Sequence, residues 1–247
     1  MNDIIPSFCQ DKTLDYLRDI KLYQNKDGYR VSIDALLLYD FVKMPRIKKL
    51  MDFGAGSGII GLLLAKKYLD CHVILVELQE SLSLISEENI RLNKLDDRVV
   101  SIQGDIRELA RDDKYLHSFD AVITNPPFRK VKTGLISPND ERAIARHETH
   151  LSLSQLLKSA SNMLRHHGHF YMIYLPERLS EVLIKMKENS LEIKCLRFVH
   201  SFIDSPAKMI LIEAVKGAKS GLKVLNPLII YSGENSYSEE VLSIYKC

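Results

Sequence analysis

Cysteine is scarce in this sequence of 247 residues, and the four cysteines that occur are far apart. Cys9, Cys71, Cys195 and Cys247 form no Cys-x-x-Cys pair. Zinc-binding and disulfide frameworks need closely patterned cysteines, so the sequence argues against a structural zinc site and a disulfide-rich fold. The scattered cysteines fit a protein of a reducing compartment.

Long apolar runs are absent as well. No stretch approaches the roughly 18 apolar residues that a membrane-spanning helix requires. The opening segment MNDIIPSFCQDK lacks the basic start and the apolar centre of a signal peptide. We therefore expect a cytoplasmic protein without a membrane partner.

The sequence also has no strong excess of either charge. Its net charge is +2 and its isoelectric point is about 8.2. A nucleic-acid partner is compatible with this balance only if basic residues are concentrated on a local surface.

Short β-rich runs alternate with helical stretches from about residue 46 onward. The predicted strands are KKLMDF, HVILVEL, RVVSIQ, FDAVIT and GHFYMIYL, with helical patterns between them. This alternation indicates βαβ units and a buried parallel sheet. Farther on, IKCLRFVHS and AKMILIEAV flank FIDSP without a helix, which predicts an antiparallel hairpin. The fold class is therefore α/β, with a doubly wound Rossmann-like sheet that is mostly parallel and has an antiparallel C-terminal hairpin.

The segment before the core predicts a short N-terminal extension. KLYQNKDGYRVS suggests a hairpin that turns at NKDG, and IDALLLYDFVK suggests a helix. We therefore divide the chain into an extension, residues 1–45, and a core domain, residues 46–247. Within the core domain, LNPLIIYSGENSYSEEVLSIYK predicts a final strand and a short helix.

The first core strand ends in MDFGAGSGIIG, which contains two overlapping glycine patterns. GSGIIG, from Gly56, matches the dinucleotide pattern G-x-G-x-x-G, and Glu77 follows at a suitable distance for a ribose hydroxyl. Asp52, however, would repel a pyrophosphate at this turn and would suit a ligand with an ammonium group. The pattern of Asp52, Gly54, Gly56 and Gly58 therefore favours S-adenosylmethionine over a dinucleotide.

Two further acids follow the next two strands. Glu77 ends VILVEL and is placed to hold ribose hydroxyls, and Asp105 follows SIQG and is placed to accept a hydrogen bond from an adenine amino group, with Ile106 packing on the ring. Each acid alone could instead be a helix cap or a solvated turn residue. Three acids at the ends of three successive strands make that alternative weaker.

The fourth strand leads into Asn125, Pro126, Pro127 and Phe128. The side-chain oxygen of Asn125 and the carbonyl of Pro126 can accept hydrogen bonds from a planar amine and orient it for methyl transfer. The two prolines stiffen the turn, and Phe128 can stack on a flat substrate. A simple strand-ending turn is the alternative.

The order of these motifs resembles that of class I S-adenosylmethionine-dependent amino-methyltransferases carrying N-P-P-[FY], over most of residues 45–215. The flanking segments YRVSIDALLLYDFV, ARHET, LPERL and PLIIYSGENSYSEEVLSIY are similar to bacterial tRNA adenine-N6 methyltransferases that modify the purine beside the anticodon of a valine tRNA. The resemblance implies an adenine of tRNA as acceptor, tRNA as partner, S-adenosylhomocysteine as product, no metal and no obligate protein partner.

The resemblance also places Asp34 close to the donor, although capping the following helix is the commoner role of such an acid. The predicted donor-binding residues are Asp34, Asp52, Gly54, Ala55, Gly56, Gly58, Glu77, Leu78, Asp105, Ile106 and Asn125.

The segment after Phe128 is basic and contains Gly134 and Pro138. Its location suits phosphate contacts around an extruded base, and an ordinary solvated loop is the alternative. The predicted RNA contacts are Arg129, Lys130, Lys132, Arg142, Arg146 and His147.

The histidine-rich RHHGH, residues 165–169, forms no recognisable metal-ligand set. Gly168 is predicted as a helix stop, with His166 and His167 in the last turn of that helix.

The motifs are also compatible with three other functions. The same N-P-P-[FY] turn could present another planar amine, such as an rRNA or DNA base or a release-factor glutamine. The chain could be a non-catalytic RNA-binding protein that keeps the fold, or a dinucleotide oxidoreductase, against which Asp52 argues.

Overall fold

The structure is a computed structural model, and it describes residues 12–26, 30–126, 151–234 and 236–246. The first described element is an antiparallel hairpin of β1 (Lys12–Leu17) and β2 (Ile20–Asn25). Its turn is at Arg18 and Asp19, where Leu17 pairs with Ile20 and Arg18 has a φ of 55°. The predicted hairpin across NKDG was therefore wrong, because β2 pairs with the strand before it and residues 30–32 form no strand; Asp27 and Gly28 lie outside the described residues.

A nine-stranded sheet forms the centre of the protein. Its strands are β3 (Lys49–Phe53), β4 (His72–Glu77), β5 (Val99–Gln103), β6 (Phe119–Thr124), β7 (Leu164–Tyr174), β8 (Leu191–His200), β9 (Ala207–Lys216), β10 (Lys223–Val224) and β11 (Leu228–Ile229). The spatial order is β10-β8-β9-β7-β6-β3-β4-β5, and β11 also pairs with β8. β9 lies antiparallel between β7 and β8, and the other pairs are parallel. This confirms the mostly parallel sheet with an antiparallel hairpin.

Helices cover both faces of the sheet. They are α1 (Ile33–Phe41), α2 (Ile59–Lys67), α3 (Glu80–Leu92), α4 (Ile106–Leu109), α5 (Leu153–Met163), α6 (Leu179–Glu188) and α7 (Glu239–Tyr245), with a 3₁₀ turn at Pro176–Arg178. One hydrophobic core lies between the sheet and α1, α2, α7 and the β1–β2 hairpin. The other lies between the sheet and α4, α5 and α6. Burial on both faces explains why the central strands are nearly all apolar.

The end of the described chain is more broken than the sequence suggests. In place of one final strand, the predicted segment forms β11 and a small antiparallel pair, β12 (Tyr231–Gly233) and β13 (Ser236–Tyr237), before α7. The predicted C-terminal helix is present, and the Ser238 side chain caps it by accepting a hydrogen bond from the Val241 amide at 3.2 Å.

The histidine-rich segment also differs from its prediction. α5 ends at Met163, so His166, His167 and Gly168 lie in β7 and not at a helix end. The register between β6 and β7 shifts here, and a side chain at Gly168 would come within 3.0 Å of the Phe119 carbonyl oxygen. Gly168 thus allows a close approach of two strands at a bulge.

The residues of the predicted extension pack into the main structure. Ile20 and Leu22 of β2 and Leu36 to Leu38 of α1 are fully buried in the first core. In the described ranges, no helix combines the length and the apolar character needed to span a membrane.

Candidate active site

Four neighbouring parallel strands end at the same level on one edge of the sheet. Phe53 of β3 pairs with Val76 of β4 and with Thr124 of β6, while Glu77 pairs with Gln103 at the end of β5. Open α/β sheets bind their ligands at this carboxyl edge. The shared level brings the segments carrying Asp52, Glu77, Asp105 and Asn125 to one rim.

The turn between β3 and α2 has a backbone that favours glycine. Gly54, Gly56 and Gly58 have φ angles of 65°, 56° and 87°, in the left-handed region. The amides of Gly54 and Ala55 both donate to the Val76 carbonyl, at 2.9 and 3.0 Å. A Cβ at Gly54 or Gly56 would meet no atom of the described residues within 4 Å, so these residues leave the space beside the turn open.

Asp52 is buried beneath this turn, with 2% of its surface exposed. Its Oδ2 accepts a hydrogen bond from the Gly61 amide at 3.0 Å. Gly58 at the N-cap of α2 has no side chain, so Asp52 caps the helix from the neighbouring strand. Burial raises the pKa of Asp52 to about 7. Among the residues that the structure describes, no cationic side chain forms an ion pair with it.

Glu77 is also buried, and its carboxylate holds two segments of the rim. Oε2 accepts from the Gly56 amide at 2.9 Å, and Oε1 accepts from the Gln79 amide at 3.0 Å. Burial raises the pKa of Glu77, although these amide hydrogen bonds oppose the rise. Each oxygen has a further lone pair, so the carboxylate can still accept hydrogen bonds from ligand hydroxyls.

Asp105 follows β5 and is the N-cap of α4, since its Oδ1 accepts from the Arg107 amide at 2.8 Å. The Arg107 guanidinium also pairs with both carboxylate oxygens, and this hydrogen bonding lowers the pKa of Asp105. Ile106 is buried beside it, whereas Leu78 after β4 is half-exposed. The arrangement offers an ionised acceptor flanked by apolar surface.

Asn125 and Pro126 follow β6 and are partly buried. The Thr124 hydroxyl just before them donates to the Phe53 carbonyl at 3.0 Å, which ties the end of β6 to the end of β3. Pro127 and Phe128 lie outside the described residues, as do Arg129, Lys130, Lys132, Arg142, Arg146 and His147.

Asp34 is in the first turn of α1 but does not occupy the N-cap, which is Ser32. The alternative role, an N-cap of this helix, therefore does not apply to Asp34. Burial raises the pKa of Asp34, with the nearby Ser32 hydroxyl partly offsetting the rise.

The sequence did not identify a buried polar stripe on α3. Ser83, Ser86 and Asn89 recur every third residue and are at most 2% exposed. Ser86 bonds to Ser101 at 2.6 Å, and Asn89 Nδ2 donates to the Ser57 carbonyl in the glycine turn at 2.9 Å. The sequence signal that could have identified this stripe is a set of polar residues at helical spacing on the apolar face of an amphipathic helix.

No group of three or more His, Cys, Asp or Glu residues in the described part of the chain is arranged to hold a metal ion. The described part of the rim presents carboxylates, backbone amides and the side-chain amide of Asn125.

Known proteins resemble this chain in both sequence and fold. A profile of the methyltransferase small domain family matches residues 30–193. The chain is 32% identical to a tRNA1(Val) (adenine(37)-N6)-methyltransferase of Shewanella sp. (strain W3-18-1), over 57% of this chain and 58% of that protein. It thus spans little more than half the length of that relative.

Other relatives align over nearly their whole length. Proteins named tRNA1(Val) (adenine(37)-N6)-methyltransferase from Haemophilus influenzae (strain PittEE) and Parabacteroides distasonis are 26% and 28% identical. The alignments cover 93% and 91% of this chain, and 95% and 92% of those proteins.

Among solved structures, a predicted O-methyltransferase of Agrobacterium tumefaciens superposes with a TM-score of 0.69 at 20% identity, over 86% of this chain and 95% of that one. This likeness shows the Rossmann-like fold. From the profile match over residues 30–193, the chain belongs to the methyltransferase small domain family.

Proposed function

We propose that this protein transfers a methyl group from S-adenosylmethionine to the N6 amine of an adenine in tRNA, the purine beside the anticodon of a valine tRNA. The observation that carries the proposal is the pairing of β3 with β6, which sets the buried Asp52 and the glycine turn beside Asn125. The names of the relatives supply the choice of tRNA.

On the donor side, Asp52 fits a ligand that carries an ammonium group. A buried carboxyl whose pKa is about 7 gains a partner when such a cation binds, which favours its ionised form. Glu77 would accept hydrogen bonds from the ribose hydroxyls and Asp105 from the adenine amino group, with Ile106 and Leu78 against the ring. The turn of Gly54, Ala55, Gly56 and Gly58 would lie along the methionine part, and Asp34 would line the pocket.

On the acceptor side, Asn125 and Pro126 would each accept one hydrogen bond from the two N–H groups of the adenine amine. S-adenosylmethionine supplies an electrophilic methyl group on sulfonium, and its product is S-adenosylhomocysteine. Because the donor is already activated, the protein mainly has to hold the amine in line with it. Phe128 would stack on the base, Pro127 would stiffen the turn, and the basic residues 129–147 would contact tRNA phosphates.

A pyrophosphate ligand fits this rim poorly. Asp52 places a buried carboxyl beneath the glycine turn, where a dinucleotide would bring its negatively charged pyrophosphate. Methylation of a different planar amine remains the second candidate, because the Asn125 carbonyl would orient any such group. No membrane partner and no metal enter the proposal, and tRNA as substrate implies a cytoplasmic location.

The test is methyl transfer from labelled S-adenosylmethionine into unmodified bulk tRNA, followed by digestion to nucleosides and mass spectrometry. We expect N6-methyladenosine with the wild-type protein and a loss of about a hundredfold or more in rate with Asn125→Ala. The thermal shift caused by S-adenosylhomocysteine checks that the variant still folds and binds the donor. An unchanged rate in Asn125→Ala would remove the amine-orienting role, and label in rRNA, DNA or a release factor instead of tRNA would change the substrate.

A further inference from the structure

Asn89 of α3 joins three segments of the protein through its side-chain amide. Oδ1 accepts from the Tyr23 amide at 2.7 Å, and Nδ2 donates to the Tyr23 carbonyl at 3.1 Å. Nδ2 also donates to the Ser57 carbonyl at 2.9 Å. The side chain is completely buried, and both of its N–H groups are used.

Asn93, one helical turn later, makes a similar contact to the hairpin. Its Oδ1 accepts from the Lys21 amide at 2.9 Å, and its Nδ2 donates to the Lys21 carbonyl at 2.7 Å. Four residues of helix rise by about 6 Å, close to the roughly 6.7 Å spanned by two residues of a strand. The two asparagines therefore pair with β2 at alternate residues, as a neighbouring strand would.

The two asparagines differ in what else they bind. The second donor contact of Asn93 is to the Asn89 carbonyl at 2.7 Å, within α3 itself. The second donor contact of Asn89 is to Ser57, between Gly56 and Gly58. α3 lies against this turn, because a Cβ at Gly58 would be 3.3 Å from the Ser86 Cβ.

We propose that Asn89 is a positioning residue for the methyl donor. By fixing the Ser57 carbonyl, it holds the glycine turn in the form that binds the donor, and it couples that turn to the docked hairpin. A turn with three left-handed glycines has many alternative conformations. Without the hydrogen bond from Asn89, part of the binding free energy of the donor would be used to order the turn, and the donor would bind more weakly. The inference rests on the proposed donor site and is independent of the choice of acceptor.

The matched variants are Asn89→Asp and Asn93→Asp. Aspartate has nearly the size of asparagine and keeps the oxygen that accepts a hydrogen bond from the β2 amide. Its second oxygen replaces Nδ2, so that an acceptor faces the carbonyls to which Nδ2 donates. We expect the dissociation constant of S-adenosylhomocysteine, measured by calorimetry, to rise about tenfold in Asn89→Asp and to stay within about twofold in Asn93→Asp. Melting temperatures should fall in both, because both lose contacts to the hairpin.

A second measurement uses the wild-type protein, in case Asn89→Asp fails to fold. Coupling is reciprocal, so S-adenosylhomocysteine should slow hydrogen exchange in the β2 peptide, residues 20–25, as well as in the glycine turn. Equal affinity losses in the two variants, or no loss in either, would overturn the proposal. So would protection of the glycine turn without protection of β2. If the wild-type protein does not bind S-adenosylhomocysteine, the proposed function fails, and the inference fails with it. If the wild-type protein binds but the variants or the exchange rates do not behave as expected, only the inference fails.

Discussion

The Gly56 amide donates a hydrogen bond to Oε2 of Glu77 at 2.9 Å, so a carboxylate from the end of β4 holds the turn that follows β3. An acid predicted as a ribose contact thus also stabilises the protein itself. Gly56 has a left-handed backbone, and among the described residues no atom would lie within 4 Å of a Cβ there, so this bond holds the turn while the space beside Gly56 stays open. The proposed ribose contact and the stability of the fold would therefore depend on the same side chain.

Replacing Glu77 by alanine should therefore affect both properties. The Gly56 and Gln79 amides would lose an acceptor, which should reduce the free energy of unfolding by about 1–3 kcal/mol. The affinity for S-adenosylhomocysteine should fall at least about tenfold with the loss of the ribose contact. Thermal melts and calorimetric titration measure the two effects.

The matched control is Glu80→Ala, which removes an exposed acid from the first turn of α3. Its stability should change by less than about 1 kcal/mol, and the donor affinity should stay the same. Equal donor affinities in Glu77→Ala and wild type would contradict the ribose role.

Much of the sheet and its rim could be predicted from local patterns. Strands and helices alternate regularly between Lys49 and Tyr174, and the glycine turn follows the first core strand directly. Predictions failed where a longer-range contact decided the outcome. NKDG is a strong turn signal, but β2 pairs with the preceding strand, and β2 is further held by Asn89 and Asn93.

The same reason explains the error at Gly168 and the omission of Asn89. A glycine after a helical pattern usually ends a helix, yet Gly168 serves the close approach to Phe119 in β6. An asparagine on a helix indicates solvent exposure unless its backbone partners are known. Tyr23 and Ser57 lie 66 and 32 residues away from Asn89 along the chain.

Donor affinity should depend on pH through Asp52. Its carboxyl has a pKa of about 7 in the ligand-free protein, and a bound ammonium group would favour the ionised form. Below about pH 7, binding must expel a proton, so affinity should fall by up to about tenfold per pH unit. Titrations with S-adenosylhomocysteine between about pH 5.5 and pH 8.5 should show this slope, and Asp52→Asn should bind weakly with a flat profile.

The free energy of unfolding of the ligand-free protein should depend on pH in the opposite direction to the donor affinity. Because folding raises the pKa of Asp52 from 3.8 to about 7, its protonated form favours the folded state. The contribution is fully present below about pH 4 and is lost as the pH rises through about 7. The difference in unfolding free energy between wild type and Asp52→Asn should follow this course, and a difference independent of pH would contradict the raised pKa.

Gly61→Ala should destabilise the protein, although alanine is the better helix former. A Cβ at Gly61 would lie 2.2 Å from Cδ2 of the fully buried Leu75, so α2 could not keep its contact with β4. We expect a loss of about 1–3 kcal/mol in urea unfolding. Gly104→Ala is the control, since the described atom nearest to a Cβ there, Ile102 Cγ2, would be 3.8 Å away. Equal losses in both variants would exclude the steric cause.

Asp105 has one observed role and one proposed role, and a pair of variants can separate them. It caps α4 through the Arg107 amide, and it is proposed to accept a hydrogen bond from the adenine amino group of the donor. Serine also caps helices but carries no charge. The free energy of unfolding of Asp105→Ser should therefore stay within about 0.5 kcal/mol of wild type, while that of Asp105→Ala should fall by about 1 kcal/mol.

The ligand pair that tests the second role is S-adenosylhomocysteine and its inosine analogue, whose base has an oxygen in place of the amino group. Wild type should prefer the adenine compound by about tenfold or more, because an oxygen facing a carboxylate with a lowered pKa is repelled. Both variants should lose most of this preference, and a preference retained in Asp105→Ser would assign the recognition of the amino group to another residue.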